Sequence, residues 1–175
     1  MTRARILAAA PDHESRLSDA HHESLRLWLR LLTCTTLIEQ RVRARLRDRF
    51  AISLPRFDLM AQLERNPQGL RMGELSRRLM VTGGNVTGIT DQLVAEGLVE
   101  RRPIAGDRRA FAVRLTTRGK RAFDAMAAAH ERWVIEMFAA IPRTERARLH
   151  ALLGRVKAAV SASEDEPGTP REDAA

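Results

Sequence analysis

Residues 73–102 read GELSRRLMVTGGNVTGITDQLVAEGLVERR, and they contain two short helical patterns separated by a tight turn. The first pattern covers residues 71–80, the turn lies at residues 80–82, and the second pattern covers residues 83–96. In each pattern the apolar residues recur at the spacing of a helix that buries one face. Two helices joined by so short a turn form a helix-turn-helix. The residues expected to face a core are Leu75, Leu79, Val86, Ile89, Leu93 and Val94.

The residues after Gly97 change to the alternating pattern of a β-hairpin. Residues 99–103 alternate on the way out, residues 104–107 form a turn, and residues 111–115 alternate on the way back. The order of helix, turn, helix and hairpin is that of a winged helix-turn-helix. In that fold the second helix enters the major groove of DNA and the hairpin touches the backbone or the minor groove. The sequence therefore predicts a mainly α fold with a small β-hairpin.

Long helical patterns lie on both sides of this unit. Residues 22–50 contain no proline or glycine, so we expect one long helix there. Its end, QRVRARLRDRF, has arginine at every second position, which suits either a solvated helix end or a surface that faces phosphates. Pro55 suits the first turn of a second helix. Thr116 can cap a further long helix, and Pro142 ends that helix and opens a last one.

The composition favours nucleic acid as the partner. The formal net charge is +8, and a hydrophobic fraction of 44% is enough for a core. No apolar run approaches the roughly 20 residues that span a bilayer, so we expect no membrane partner and a cytoplasmic protein. A single cysteine and the spacing of the histidines do not suit a metal site, so no cofactor is expected. No segment gathers a nucleophile, a base and an orienting group, which argues against an enzyme.

The outward face of the second short helix is predicted to contact DNA bases. Its position follows from the apolar face, because residues of a helix are separated by 100° steps. Asn85 can bind adenine through two hydrogen bonds, Thr87 can contact a thymine methyl group, and Thr82 can cap the helix or bind a phosphate. Glycine is a poor helix former, so its use here indicates either close approach to DNA or a flexible helix start. The candidates are Thr82, Gly84, Asn85, Thr87, Gly88 and Asp91.

The tip of the predicted hairpin is basic. Arg108 and Arg109 follow Asp107, whose carboxylate can hold one guanidinium group in a fixed rotamer. Arginines held in this way suit a narrow, electronegative minor groove, although an ordinary charged turn can contain the same residues. Further contacts to DNA phosphates are expected from Arg77, Arg78, Arg101 and Arg102.

The stretch from Leu54 to Gly119 resembles the MarR family of bacterial regulators. The resemblance rests on the block quoted above, on the wing signature of residues 107–109, on Leu115-Thr116 and on Gly119. It implies a homodimer with intertwined first and last helices, a small-molecule pocket between these helices and the DNA-binding part, and a palindromic operator. With the patterns of the flanking segments, the predicted divisions are a flexible arm at 1–21, a dimerisation helix at 22–50, a winged helix-turn-helix domain at 54–119, C-terminal dimerisation helices at 120–162 and a disordered tail at 163–175.

The chain departs from the family pattern at two places. Arg71 stands where such proteins often have a Ser or Thr helix cap, so this helix end is expected to fray or to bind a phosphate. The peroxide-sensing branch has an activated thiol near the start of its first helix together with tyrosines, whereas this chain has no tyrosine and Cys34 lies deep within the long helix. We therefore expect Cys34 to be a small buried hydrophobic residue, with a thiol-based redox-sensing repressor as an alternative.

The resemblance implies a repressor that leaves its operator when it binds a small molecule. Relatives answer to aromatic carboxylates, to their coenzyme A thioesters or, in one branch, to urate, so an aromatic acid or its acyl-CoA form is the expected effector. The same residue types also suit a plain core, and Asp58 suits an exposed helix acid. An architectural DNA-binding protein without an effector remains the alternative. The predicted pocket residues are Trp28, Leu32, Phe57, Asp58 and Met60.

Overall fold

The computed structural model describes residues 22–79, 82–104 and 107–163, excluding the side chains of residues 107–110 and 163. The arm predicted at 1–21 and the tail predicted at 163–175 lie outside the described residues, apart from Ser163, which ends the last helix. The elements are α1 (Glu23–Phe50), α2 (Leu54–Glu64), β1 (Leu70–Arg71), α3 (Met72–Leu79), α4 (Gly83–Ala95), β2 (Val99–Ile104), β3 (Asp107–Leu115), α5 (Thr117–Met137) and α6 (Arg143–Ser163). The predicted fold class, mainly helical with a hairpin that forms a wing, is confirmed.

The sheet has one strand more than the sequence predicted. Its order is β1-β3-β2, and both pairings are antiparallel. Arg71 was expected to begin a helix, but it lies in β1 opposite Ala112, and α3 begins at Met72. Gly69 allows this path, because its φ of 94° is open to glycine and a Cβ there would lie 2.9 Å from the Val113 carbonyl oxygen. A strand of two residues is too short to show an alternating pattern.

The core forms where α2, α3 and α4 pack on the sheet. Most of the residues predicted to face inward are buried, whereas Leu79 and Val94 are half-buried. Thr90 is buried as well and was not predicted, and its hydroxyl donates to the Val86 carbonyl oxygen at 2.8 Å. That bond within the helix lets a polar side chain enter the core. The side chains with 0% exposure in this region include Leu46, Leu59, Met60, Leu75, Val86, Leu93 and Val113.

The start of α5 is joined to the turn after α4. The Thr116 hydroxyl donates to the Gly97 carbonyl oxygen at 2.8 Å and accepts from the Gly119 N–H at 2.9 Å, so the predicted cap is confirmed. The Thr116 N–H donates to the Leu98 carbonyl oxygen at 3.1 Å. Thr82 differs, because it precedes α4 but its side chain makes no capping hydrogen bond. Thr82 therefore occupies the cap position but does not cap through its side chain, and its alternative role as a phosphate contact stays a prediction.

The described residues divide after Glu131 into two compact units. In the second unit α5 ends at Met137 and α6 begins at Arg143. The Arg146 N–H donates to the Pro142 carbonyl oxygen at 2.9 Å, which confirms that Pro142 opens the last helix. The Arg146 guanidinium also donates to the Phe138 carbonyl oxygen at 3.1 Å. Arg146 therefore forms hydrogen bonds to both ends of the loop between α5 and α6.

Two long helices expose many apolar side chains. Along α1 the buried residues are Val42 and Leu46, and the helix before them is largely exposed. Cys34 lies in that part and is exposed, so the prediction that it is buried is wrong for the single chain. The exposed apolar residues of α1 and α6 are Leu25, Leu27, Trp28, Leu32, Leu37, Leu149, Leu152, Leu153, Val156 and Val160.

Candidate nucleic-acid interface and ligand cavity

Helix α4 presents one exposed face opposite its core face. Gly84, Asn85, Thr87, Gly88 and Asp91 are all exposed, as the helical spacing predicted. The buried side of the helix consists of Val86, Ile89, Thr90 and Leu93. The structure therefore brings the predicted base-contacting residues of α4 together on one surface.

The glycines of α4 have no packing role among the described residues. A Cβ added at Gly83, Gly84 or Gly88 would meet no atom within 4 Å. The Thr87 hydroxyl donates a hydrogen bond to the Gly83 carbonyl oxygen at 3.0 Å. The Thr87 methyl group is therefore the part of the side chain that can contact another molecule. The outward face of α4 is consequently smooth, and another molecule could approach its backbone closely.

The arginines around α4 are held by acidic neighbours. Arg101 of β2 donates to Asp91 of α4 at 2.5 Å, so an ion pair ties the base of the wing to this helix. Sequence reasoning placed Asp91 against DNA and missed this partner, which lies on another element. The contact gives Asp91 a structural partner, and the expectation that Asp91 contacts DNA stays a prediction.

A second acidic residue orders the wing. Glu100 accepts hydrogen bonds from Arg102 at 3.0 Å and from Arg114 at 2.6 Å. These hydrogen bonds, from Arg114 first and then Arg102, lower the pKa of the Glu100 carboxyl below its usual range.

Among the other predicted DNA contacts, Arg78 pairs with Glu74 at 2.6 Å, and Arg77 is exposed beside it on α3. The backbone of residues 107–109 lies in β3, whereas the predicted roles of the Asp107, Arg108 and Arg109 side chains lie outside the described residues.

A cavity of about 460 Å³ lies between α2, α3 and α5. Phe57 and Asp58 line it as predicted, and Met60 is fully buried in the neighbouring core. Trp28 and Leu32 do not line this cavity, and their exposures are 57% and 48%. Trp28 lies about 20 Å along α1 from Val42, given the rise of a helix. The lining residues are Phe57, Asp58, Ala61, Gln62, Arg65, Arg78, Leu79, Phe123, Ala127 and His130.

The cavity combines aromatic rings with charged side chains. Phe57 stacks on Phe123 with centroids 5.5 Å apart and lies 5.2 Å from the His130 ring. Burial lowers the pKa of His130, which favours a neutral imidazole at pH 7. Burial raises the pKa of the Asp58 carboxyl, Glu39 raises it further, and Arg43 opposes both. The cavity therefore places stacked aromatic rings beside a half-buried carboxyl group.

Several cavity residues were missed by the sequence analysis. Gln62, Arg65 and Arg78 come from two helices, and only the packing of α2 on α3 brings them together. His130 did carry a signal, because it continues the inward stripe of Phe123, Met126 and Trp133 on α5. A histidine on such a stripe has its ring among buried apolar residues.

Two negative findings concern the described residues. They include no group of three or more His, Cys, Asp or Glu side chains placed to hold a metal ion. None of the described helices combines the length and the apolar character that crossing a membrane would need.

The middle of the chain matches the model of one protein family. Residues 52–110 match the model of the MarR family. The chain is also 27% identical over 128 residues to the HTH-type transcriptional regulator PecS of Dickeya dadantii, which covers 72% of this chain and 77% of PecS.

Solved structures extend the similarity to the flanking helices. A MarR family transcriptional regulator from Silicibacter pomeroyi is 35% identical with a TM-score of 0.69, covering 82% of this chain and 99% of that one. A mutant MarR from E. coli, complexed with operator DNA, is 25% identical with a TM-score of 0.67 and covers 79% of this chain and 99% of its own. The proteins that this chain resembles are transcriptional regulators rather than enzymes.

Proposed function

Because this chain belongs to the MarR family of transcriptional regulators, we propose that it binds operator DNA through α4 and the wing and releases it on binding a small molecule. The observation that carries the proposal is the exposed, unobstructed face of α4, which consists of Gly84, Gly88 and Asp91 with Asn85 and Thr87 beside them. The net charge of +8 supports a polyanionic partner, and the E. coli relative was solved with operator DNA. A regulator of this kind would act in the cytoplasm, where bacteria hold their DNA.

In the proposed complex α4 lies in the major groove. Asn85 reads an adenine, and the Thr87 methyl group meets a thymine. Thr82, Gly84 and Gly88 allow the backbone to approach the bases or phosphates. Asp91 fixes Arg101, and the phosphate contacts come from Arg77, Arg101, Arg102, Arg108 and Arg109.

The proposed assembly is a homodimer on a palindromic site. The exposed apolar residues of α1 and α6 would be costly to leave in water, and a second copy of the chain would cover them. The divisions at 22–50 and 120–162 would then serve dimerisation, and residues 54–119 would bind DNA. Two copies of α4 related by a two-fold axis match two half-sites one helical turn apart.

The wing provides a direct test of DNA binding. Arg109→Ala is expected to weaken binding and to reduce the slope of log affinity against log salt by about one, because one phosphate contact that releases a counterion is lost. Fluorescence anisotropy with an operator selected from a random DNA library would measure both quantities. Arg121→Ala, an exposed arginine of α5, is the matched control. An unchanged slope in Arg109→Ala would remove the wing from the interface.

The proposed effector is an aromatic acid or its coenzyme A thioester. The cavity supports this choice, because Phe57 and Phe123 supply aromatic rings while Arg65 supplies a cation for a carboxylate. Trp28 and Leu32, both exposed in the single chain, would join the pocket only through the dimer. The effector acts by binding more tightly to dimers whose α4 helices no longer match the groove spacing.

Arg65→Gln is expected to raise the concentration of aromatic acid needed to release DNA about tenfold, because a charge-assisted hydrogen bond is lost. A panel of benzoates, hydroxycinnamates, their thioesters and urate would be titrated while DNA release and tryptophan emission are recorded. Arg121→Gln is the control, and Trp28→Phe separates the Trp28 signal from that of Trp133. If no compound releases DNA, the architectural alternative is favoured. If release depends on oxidising Cys34, the redox alternative is favoured.

A further inference from the structure

A second cleft, of about 400 Å³, lies where α1 ends and α2 begins, separate from the ligand cavity described above. It shares no lining residue with that cavity. Its polar lining residues are Arg43 and Arg47 of α1, Ser53 and Arg56 at the start of α2, and Gln92 of α4. None of the described residues that line it is acidic. Three arginines from two helices therefore line one concave surface.

The charges around this cleft are incompletely balanced. Arg43 and Arg47 are one helical turn apart, so they repel each other across the same face of α1. Arg43 reaches Glu39 at 3.3 Å, whereas Arg47 has no acidic partner among the described residues. A bound anion would relieve this repulsion.

Arg56 adds an independent sign that an acceptor is missing. Its side chain is only 13% exposed and pairs with Glu96 through Nη2. Its Nε is buried without a hydrogen-bond partner among the described residues. Buried polar groups are nearly always paired, so an orphaned guanidinium N–H beside a cleft is unusual. A bound oxyanion that draws the Arg56 side chain toward the cleft would give this donor an acceptor.

We propose that this cleft is a binding site for a phosphate group. A free or terminal phosphate carries up to two charges and several acceptor oxygens, which suits a cluster of arginines better than the single charge and two oxygens of a carboxylate. A DNA backbone phosphate carries one charge, and its tetrahedral oxygens could use the same donors. The Ser53 hydroxyl makes no capping hydrogen bond and can donate, as can the Gln92 amide. The phosphate could belong to a free phosphorylated anion or to the backbone of bound DNA. Only the DNA source rests on the proposed function.

Phosphate binding at this site would affect the position of α4, the helix proposed to enter the major groove. Gln92 and Glu96 lie at the carboxyl-terminal part and end of α4, and Glu96 is the partner of Arg56. A phosphate that competes with Glu96 for Arg56 changes how α4 is held against α2. The site therefore links the end of α1 to the position of α4 through Arg56.

The free-anion source is tested without DNA. Calorimetric titration of the full chain with inorganic phosphate and with pyrophosphate, at constant ionic strength, is expected to show binding that Arg47→Gln weakens about tenfold. Arg43→Gln should have a similar effect. Arg41→Gln removes the same charge from an exposed position of α1 outside the cleft and should leave the affinity unchanged. Arg47 is exposed, so its replacement should not prevent folding, and circular dichroism checks this.

The DNA source is tested by the salt dependence of operator binding. If the cleft holds a backbone phosphate, Arg47→Gln lowers the slope of log affinity against log salt by about one, while Arg41→Gln does not. A difference between these variants in either experiment supports the site and names its source. Equal behaviour of Arg47→Gln and Arg41→Gln in both experiments overturns the proposal. Because the calorimetric experiment needs no operator, its result stands even if the chain does not bind DNA.

Discussion

Replacing Gly119 with alanine is expected to destabilise the folded protein by about 3 kcal/mol, because the added methyl group collides with backbone. A Cβ at this position would lie 1.8 Å from the Leu98 carbonyl oxygen and 2.8 Å from its carbon. The same carbonyl accepts the Thr116 N–H at 3.1 Å. Since backbone on both sides is fixed by hydrogen bonds, α5 must move away from the turn after α4 to admit the methyl group.

Urea unfolding followed by circular dichroism would measure the loss. Gly73→Ala is the matched control, since a Cβ on this exposed α3 glycine would meet no atom within 4 Å. Its stability should be unchanged or slightly raised, because alanine favours helix. A loss below about 1 kcal/mol in Gly119→Ala would show that α5 does not approach Leu98 this closely.

Gly119 illustrates what the sequence could and could not predict about the fold. The helices around it follow from apolar spacing and from Thr116 and Pro142 at their starts, because these signals are local. The need for glycine at 119 depends on Leu98, which belongs to another element. The strand at Leu70–Arg71 was missed for the same reason, since only its pairing with β3 defines it.

In the candidate sites too, features set by one element were predictable, and features set by contacts between elements were not. The outward face of α4 was predictable, because the buried positions of one helix fix the exposed ones. The pair of Asp91 with Arg101 and the cavity residues Arg65 and His130 required contacts between elements. Trp28 was placed in a pocket because apolar residues suit one, yet it is exposed in the single chain. In the proposed homodimer, a second chain would supply the surroundings that Trp28 lacks here.

Gly88→Ala is expected to change stability and DNA binding in opposite directions. The residue lies within α4, where alanine stabilises helix by about 1 kcal/mol relative to glycine. Among the described residues, no atom lies within 4 Å of the added methyl group. If α4 enters the major groove with Gly88 against the DNA, the same methyl group obstructs a close contact, which should weaken operator binding by about 1 to 3 kcal/mol. Asn85→Ala, in contrast, should weaken operator binding by about 1 to 3 kcal/mol with little effect on random DNA.

These effects separate the two explanations for glycine in α4. If glycine serves only to loosen the helix start, Gly83→Ala and Gly88→Ala should both raise the midpoint of urea unfolding and leave operator affinity unchanged. If glycine serves close approach to DNA, Gly88→Ala raises the midpoint and lowers the affinity, as anisotropy with operator and random DNA would record. Asn85→Ala then identifies the base contact, because its loss should appear only with the operator. Equal losses of Asn85→Ala on operator and random DNA would mean that α4 contacts phosphates rather than bases.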